Sequence, residues 1–100
     1  MSYALAFSNH AENDIIEAIL WYNKEKRALG FEFYDKLTEK ISVIADTPFY
    51  YATRFKSIRA AGISKFPFLI YFKVYELEKR ILVIGVFHTS RNQKEVLKRK

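Results

Sequence analysis

The sequence predicts a small α+β domain in which two consecutive helices cover one face of a sheet. Two amphipathic segments with helical spacing come first, and two long strands joined by a charged turn follow at residues 68–75 and 81–88. Almost every residue of both strands is apolar or aromatic. We therefore expect both faces of this hairpin to be covered at least in part, with the helices as the cover on one face.

The chain opens with a strand that leads directly into a helix. Residues 3–7 form a short apolar run, and Ser8 and Asn9 then interrupt it with side chains that favour the N-cap of a helix. The helix begins at about residue 11, and its apolar stripe consists of Ile15, Ala18, Ile19 and Tyr22, widened by Ile16, Leu20 and Trp21. Gly30 is expected to end the helical segment in the left-handed conformation.

A second helix is predicted at about residues 31–45. Its apolar stripe consists of Phe33, Leu37, Ile41 and Ile44, and its charged residues lie mostly on the opposite side. Thr47 and Pro48 stop this helix, because a residue that precedes proline disfavours the helical conformation. Two amphipathic helices with a short connection form an antiparallel hairpin, which can cover a sheet.

The strand half follows, which gives the element order β-α-α-β-β-β. Residues 53–59 form a weak, edge-type strand, because Phe55 and Ile58 do not share a parity. Residues 60–62 indicate a turn, and residues 76–80 form the charged connection of the long hairpin. In the first long strand, alternation places Phe68, Ile70, Phe72 and Val74 on one face and Leu69, Tyr71, Lys73 and Tyr75 on the other. In the second it separates Ile81, Val83, Gly85 and Phe87 from Leu82, Ile84, Val86 and His88.

Length and composition favour one compact domain over residues 1–100. The chain is half hydrophobic and has no cysteine, which excludes disulfides, thiolate zinc sites and cysteine nucleophiles. No signal peptide and no long apolar run is visible, so we expect a cytoplasmic protein without a membrane segment. With His10 and His88 far apart in sequence and no glycine-rich phosphate loop, no metal site and no cofactor is predicted.

Charge is divided unevenly between the two halves of the chain. Residues 1–50 carry five basic and eight acidic residues, a net charge of −3, and Asp14 lies near the start of the first helix, where the helix dipole favours it. Residues 51–100 carry twelve basic and three acidic residues, a net charge of +9. A concentrated positive field of this kind suits a polyanionic partner, either a nucleic acid or an acidic protein segment.

The basic residues of the strand half are the candidate functional residues. They are Arg54, Lys56, Arg59, Lys65, Lys73 and Arg91, together with His88. If the strand ends converge, Arg59, His88 and Arg91 would supply the cations and the proton-transfer group that ribonuclease chemistry requires. The alternatives are a locally packed histidine at a strand end and arginines that pair with the acids of the helices. The neighbouring aromatic residues resemble RNA-stacking strands, but core packing is the favoured use.

Several short motifs, taken in order, resemble the RelE/ParE superfamily of type II toxin–antitoxin toxins, also called plasmid stabilisation proteins. They are the opening strand with Ser8, Trp21-Tyr22, Gly30-Phe31, Thr47-Pro48, Arg59, Lys65-Phe66-Pro67-Phe68, Ile70-Tyr71-Phe72, and Ile84 to His88 with Arg91. The resemblance covers nearly the whole chain, and the order and spacing of the motifs are more specific than any one of them.

The resemblance implies a small curved, antiparallel-dominated sheet that the first strand joins, with the helical hairpin on one face. It also implies a cognate antitoxin whose acidic C-terminal segment wraps the basic half of the chain. The residues expected to bind the antitoxin or the target are Arg54, Lys56, Arg59, Lys65, Tyr71, Lys73 and Arg91.

Members of the superfamily differ in activity. ParE-like toxins are described as blocking DNA gyrase, whereas RelE-like toxins cleave messenger RNA on the ribosome. The Trp21-Tyr22 helix and the Lys65-Phe66-Pro67 segment resemble the ParE-like branch, so a gyrase-binding toxin is the first hypothesis. The second is a ribosome-dependent endonuclease in which Arg59 and Arg91 hold the scissile phosphate and His88 or Lys56 transfers protons. The third is an inactive relative that only binds the antitoxin.

Overall fold

The computed structural model describes residues 2–99, so Met1 and Lys100 of the predicted domain lie outside the described residues. The elements are β1 (Ala4–Phe7), α1 (Asn9–Glu25), α2 (Leu29–Asp46), β2 (Thr53–Phe55), β3 (Ile58–Ile63), β4 (Phe66–Tyr75) and β5 (Arg80–His88), with short 3-10 helices at Pro48–Tyr50 and Gln93–Lys98. Neither α1 nor α2, within this described part, combines the length and apolar content that a membrane-spanning helix needs.

The strands form one mixed sheet in the order β1-β5-β4-β3-β2. Three of the four strand pairs are antiparallel, and β1 joins the edge parallel to β5, with Ala4 opposite Arg80 and Phe7 opposite Val83. The predicted α+β class and the antiparallel-dominated sheet are confirmed. β1 stops at Phe7, so residues 84–88 of β5 extend beyond it without a strand partner on that side.

The prediction of a single strand at 53–59 and a turn at 60–62 was wrong. The chain instead turns at residues 56–57, where Lys56 has a φ of 50°, and then enters a new strand, β3. The small residues 60–62 lie inside β3, and Ala61 pairs with Ile70 of β4. Pairing with a long neighbouring strand outweighs the low strand propensity of Ala and Gly. The element order therefore has one strand more than predicted.

The predicted alternation holds along β4 but fails along β5. Tyr71 pairs with Gly85 and the next residue of β4, Phe72, pairs with Val83, so Ile84 is an extra residue in β5. This β-bulge reverses the parity of the strand after Val83. Val86 consequently packs toward the helices with Val83, whereas Phe87 lies on the other face of the sheet.

Both faces of the sheet are packed. The helix-side core lies between the helices and the sheet and contains, among others, Tyr22, Phe33, Leu37, Phe66, Phe68, Ile70 and Phe72. The outer core lies on the opposite face and consists of Ile58, Tyr71, Ile84, Phe87 and Val96, the last of which comes from the C-terminal 3-10 helix. The prediction that the aromatic residues of the strands pack in the core is confirmed. The C-terminal segment covers the second face of the sheet.

Gly30 allows α1 and α2 to pack closely. The prediction that it ends the first helix in the left-handed conformation was wrong. α1 already ends at Glu25, Gly30 lies in the first turn of α2, and no glycine of the described residues has a positive φ. The Gly30 N–H donates a hydrogen bond to Asn23 Oδ1 at 3.1 Å. A Cβ at this position would lie 2.8 Å from the Ile19 carbonyl oxygen. The two helices approach each other closely because residue 30 has no side chain.

We expect Gly30→Ala to lower the free energy of unfolding by about 1–3 kcal/mol, because the added methyl group forces α1 and α2 apart. Urea denaturation monitored by circular dichroism measures the effect. Gly62→Ala is the matched control, since a Cβ there would meet nothing within 4 Å. Equal stability of the two variants would contradict the packing role of Gly30.

Candidate functional site

The sequence-predicted functional residues lie in three separate places. Arg59 lies beside the loop that follows α2, His88 and Arg91 lie at the exit of β5 next to α1, and the remaining basic residues lie around the outer face and the turns. The structure thus brings His88 and Arg91 together and leaves Arg59 apart from them.

Arg59 holds a loop in place. Its Nη1 donates a hydrogen bond to the Tyr51 carbonyl oxygen at 2.6 Å, and its guanidinium lies 4.9 Å from the centre of the Phe49 ring. Arg59 is opposite Phe72 in the sheet, whereas His88 is opposite Phe68 on the other side of β4. Four residues along a strand and two strand spacings separate their Cα atoms by about 16 Å. With its guanidinium engaged by Tyr51 and Phe49, Arg59 is directed to the loop after α2 and does not join His88 in one site.

The other basic residues surround the outer face of the sheet. Lys56 and Lys65 occupy exposed turns with φ values of 50° and 71°. Lys73 is opposite Leu82, which packs against the outer core, so the Lys73 side chain lies on the same face. Arg54 is close enough to Tyr71 to influence its ionisation. The outer face therefore has an apolar centre with cationic groups at its margin.

Tyr71 is fully buried and lies at the centre of the outer core. Its hydroxyl donates a hydrogen bond to Gln93 Oε1, and the Gln93 amide in turn donates to the His88 and Arg91 carbonyl oxygens at 3.0 and 2.6 Å. Burial raises the pKa of the Tyr71 phenol, and the Arg54 guanidinium opposes part of that shift. In this structure Tyr71 fixes the C-terminal segment and has no surface with which to contact a partner.

We expect stability to fall at alkaline pH because of this tyrosine. The raised pKa means that the folded chain keeps the Tyr71 proton at a pH where the unfolded chain has lost it. Its contribution is complete below the ordinary pKa of 10.0 and is lost as pH rises through the higher folded value. Urea midpoints measured across this range should decline less steeply for Tyr71→Phe. Tyr50→Phe, at an exposed position, should decline like the wild type, and equal slopes for all three would contradict the prediction.

His88 has one ring nitrogen engaged by its own turn. The Ser90 backbone N–H donates to Nδ1 at 3.0 Å, and the Ser90 hydroxyl lies 2.8 Å from the same atom. A ring nitrogen that accepts an N–H carries no proton, so the neutral imidazole has its proton on Nε2. The ring also makes an edge-to-face contact with Phe68, with 5.2 Å between ring centres. In the neutral ring, the other nitrogen of His88 is therefore a hydrogen-bond donor.

The most heavily hydrogen-bonded charge in the described chain is Asp14, which is not among the residues predicted to be functional. Its carboxylate is buried and accepts from Arg99 Nη1 at 2.5 Å and Nη2 at 3.2 Å, and from Arg91 Nη1 at 3.5 Å. It also accepts the Val86 N–H at 3.0 Å. Because β1 has already ended there, Asp14 satisfies a backbone donor on the unpaired edge of β5. One carboxylate thereby joins α1, β5 and the C-terminal segment.

All the nitrogens of the Arg91 guanidinium face carboxylates. Nη1 contacts Asp14, while Nε and Nη2 each lie 3.0 Å from Glu95 Oε1. The plane also lies 4.0 Å from the centre of the Phe87 ring, and the Arg99 guanidinium lies 4.8 Å from the same ring. Arg91 is therefore held by two acids and one aromatic ring, which leaves it little capacity to bind an external phosphate.

A signal for Asp14 exists in the sequence. It lies between Ala11 and Ala18 at helical spacing, and both alanines are buried in the helix-side core. An acid on the buried stripe of a helix requires buried partners. The sequence could not identify those partners, because Arg91 and Arg99 are more than 75 residues away in the chain.

A pocket of about 370 Å³ opens between α1 and the exit of β5. Asp14, Glu17, Ala18 and Trp21 form one wall along a single face of α1, and the rest of the lining comprises Phe68, Val86, His88, Ser90 and Arg91. Trp21 lines this pocket and is 58% exposed. Within the described residues no group of three or more potential ligands could hold a metal ion here.

The fold is similar to that of solved structures of other proteins. Neither a protein-family model nor a curated protein sequence matches the chain. A chain of the chromosomal ParDE toxin–antitoxin system from P. aeruginosa matches in structure with a TM-score of 0.74 at 15% identity, covering 87% of this chain and 96% of that one. The toxin–antitoxin complex RelBE2 from Mycobacterium tuberculosis gives 0.59 at 10% identity, covering 88% and 99%. A mutant of the E. coli toxin RelE in the free state gives 0.65 at 17%, covering 99% and 94%.

The chain has the RelE/ParE toxin fold. The resemblance suggested by the sequence motifs is thereby confirmed for the fold, across nearly the whole of each matched chain. Within this fold the first strand, the helical hairpin and the antiparallel strands occupy the places that the resemblance implied.

Proposed function

We propose that this chain is the toxin of a type II toxin–antitoxin pair and that a cognate antitoxin neutralises it. The observation that carries the proposal is the structural match to a ParDE chain over 87% of this chain and 96% of that one. A net charge of +9 in residues 51–100 supports binding of an acidic antitoxin segment. Arg54, Lys56, Lys65 and Lys73 are the residues we propose for that contact, since none of them takes part in an ion pair within the described part of the chain.

We further propose that the toxin inhibits growth by binding a protein, DNA gyrase, and not by cutting RNA. Three observations on the candidate catalytic residues support binding. Arg59 is engaged by the Tyr51 carbonyl oxygen, and it lies on the other side of β4 from His88. The hydrogen bond at Nδ1 makes Nε2 of neutral His88 a donor, which disfavours abstraction of a 2′-hydroxyl proton. Arg91 is neutralised by Asp14 and Glu95.

A supercoiling assay with purified gyrase tests the proposed target. We expect relaxed plasmid to remain relaxed when the protein is in excess, and supercoiling to return when the antitoxin is added. Heat-denatured protein is the control for non-specific inhibition. Normal supercoiling at excess protein, in a preparation that still arrests growth on induction, would contradict the proposal.

A ribosome-dependent endonuclease is the second candidate, and the proximity of His88 and Arg91 at the exit of β5 favours it. In that case His88 would transfer a proton and Arg91 would bind the scissile phosphate after release from its acids. Primer extension on translated transcripts after brief induction detects cleavage. Cleavage that is abolished by His88→Ala would establish this alternative, and intact transcripts during growth arrest would exclude it.

The antitoxin contact can be tested separately from the target. Arg54→Ala combined with Lys73→Ala should weaken binding of the acidic C-terminal segment of the protein encoded next to this one, by about tenfold at low salt. Lys24→Ala combined with Lys26→Ala removes the same charge from the helical half and should leave the affinity within about twofold. Isothermal titration calorimetry measures both, and equal losses would contradict a specific contact on the outer face.

A further inference from the structure

The pocket beside Trp21 has an unusual distribution of charge for a chain that is basic overall. Of the charged side chains in its lining, Asp14 is saturated by two arginines and a backbone N–H, and Arg91 is saturated by Asp14 and Glu95. Glu17 is exposed and has no ion-pair partner within the described residues. Among the described residues that line the pocket, the charged side chain left free to meet a ligand is therefore negative.

Aromatic side chains share the pocket lining with Glu17. Trp21 lies four residues after Glu17, so the two side chains are neighbours on one face of α1. The indole is held edge-to-face against Tyr22, with 5.2 Å between ring centres, which fixes the orientation of its exposed surface. Phe68 and His88, themselves in contact at 5.2 Å, close the opposite side. A carboxylate next to an exposed indole is the arrangement that binds organic cations.

We propose that this pocket binds an arginine side chain presented by a partner protein. A guanidinium can stack on the Trp21 indole while it pairs with Glu17, and it loses less hydration than an ammonium group does. The volume of about 370 Å³ accommodates one such side chain with part of its backbone. The site lies on the α1 side of the molecule, whereas the basic residues proposed for the antitoxin lie around the outer face, so the two contacts are independent.

The unpaired edge of β5 does not offer a competing mode of binding by strand addition. Residues 84–88 have no strand partner on this side, but Asp14 already occupies the Val86 N–H and Arg99 Nη1 donates to the Ile84 carbonyl oxygen at 3.2 Å. A strand added here would have to displace both contacts. Insertion of a side chain into the pocket leaves them intact.

The protein provides its own reporter, because Trp21 is its single tryptophan. Titration of the full-length protein with acetyl-Gly-Arg-Gly-amide should change the Trp21 fluorescence saturably at low salt, whereas acetyl-Gly-Gln-Gly-amide and acetyl-Gly-Glu-Gly-amide should not. Glu17→Gln should lower the association constant for the arginine peptide about threefold to tenfold. Glu25→Gln is the matched control, since this exposed glutamate at the end of α1 is outside the pocket lining.

Four outcomes would overturn the proposal. They are an equal response to the glutamine peptide, stronger binding of the glutamate peptide, an unchanged association constant in Glu17→Gln, and a Trp21 signal that depends on protein concentration without peptide. The last would identify a second copy of this chain as the occupant. All four are read from the purified protein, so they do not depend on whether gyrase is the target.

Discussion

Replacement of Asp14 by alanine is expected to lower the free energy of unfolding by about 3–5 kcal/mol. The Asp14 and Arg99 side chains are only 6% and 12% exposed, so the carboxylate and the guanidinium are almost completely removed from water. Loss of the carboxylate leaves Arg99 buried without its counter-charge and leaves the Val86 N–H without an acceptor. Arg91, whose side chain is 36% exposed, can turn to solvent and adds little to this cost.

Chemical denaturation of the variants measures this effect. It also distinguishes the energy of the Asp14–Arg99 interaction from the cost of losing one side chain. Glu17→Ala, one turn further along α1, should change stability by less than about 0.5 kcal/mol because Glu17 is exposed. In a double-mutant cycle, Asp14→Ala with Arg99→Ala should cost less than the sum of the single changes by about 1–3 kcal/mol. An additive cycle would show that Asp14 and Arg99 do not stabilise each other.

Phe33→Ala is expected to destabilise the protein by about 3–5 kcal/mol. Phe33 is fully buried at the centre of the helix-side core, and its ring lies 5.5, 5.3 and 4.9 Å from the rings of Tyr22, Phe66 and Phe68. Truncation removes these aromatic contacts and leaves a cavity where α2 packs on both α1 and β4.

Phe31 supplies a control of the same residue type, two positions earlier in α2. It is largely exposed, so Phe31→Ala should change the free energy of unfolding by less than about 0.5 kcal/mol. Thermal or urea unfolding of the two variants gives the comparison. A cost for Phe33→Ala similar to that of Phe31→Ala would contradict the position of Phe33 at the centre of the core.

The two helices and the long hairpin were predictable because their signals are local. The stripe of Phe33, Leu37 and Ile44 repeats at helical spacing, and all three residues are buried as predicted. β4 alternates without a break, and its faces were assigned correctly. The assignment of β5 residues to the two faces was wrong after Val83. A strand that is apolar on both sides gives no sign of the extra residue in a bulge.

The candidate site was less predictable than the fold, because it depends on contacts between distant segments. Arg59 would lie near His88 only if the strand ends converged. Its position opposite Phe72 and its hydrogen bond to Tyr51 follow from strand pairing that the local pattern around residues 53–62 does not specify. Asp14 gave a local signal, a charge on a buried stripe, but its partners lie at the other end of the chain.

The sequence by itself determined the class of fold, the order of its main elements and the concentration of positive charge in the strand half, because periodicity and composition act over a few residues. Only the tertiary structure decided which charges remain free. It neutralised Arg91 with Asp14 and Glu95, assigned Arg59 to a loop, and left Glu17 and Trp21 open at a pocket. The physical reason is that burial makes an unpaired charge costly, so the fold pairs those charges that it encloses and leaves available those that it does not.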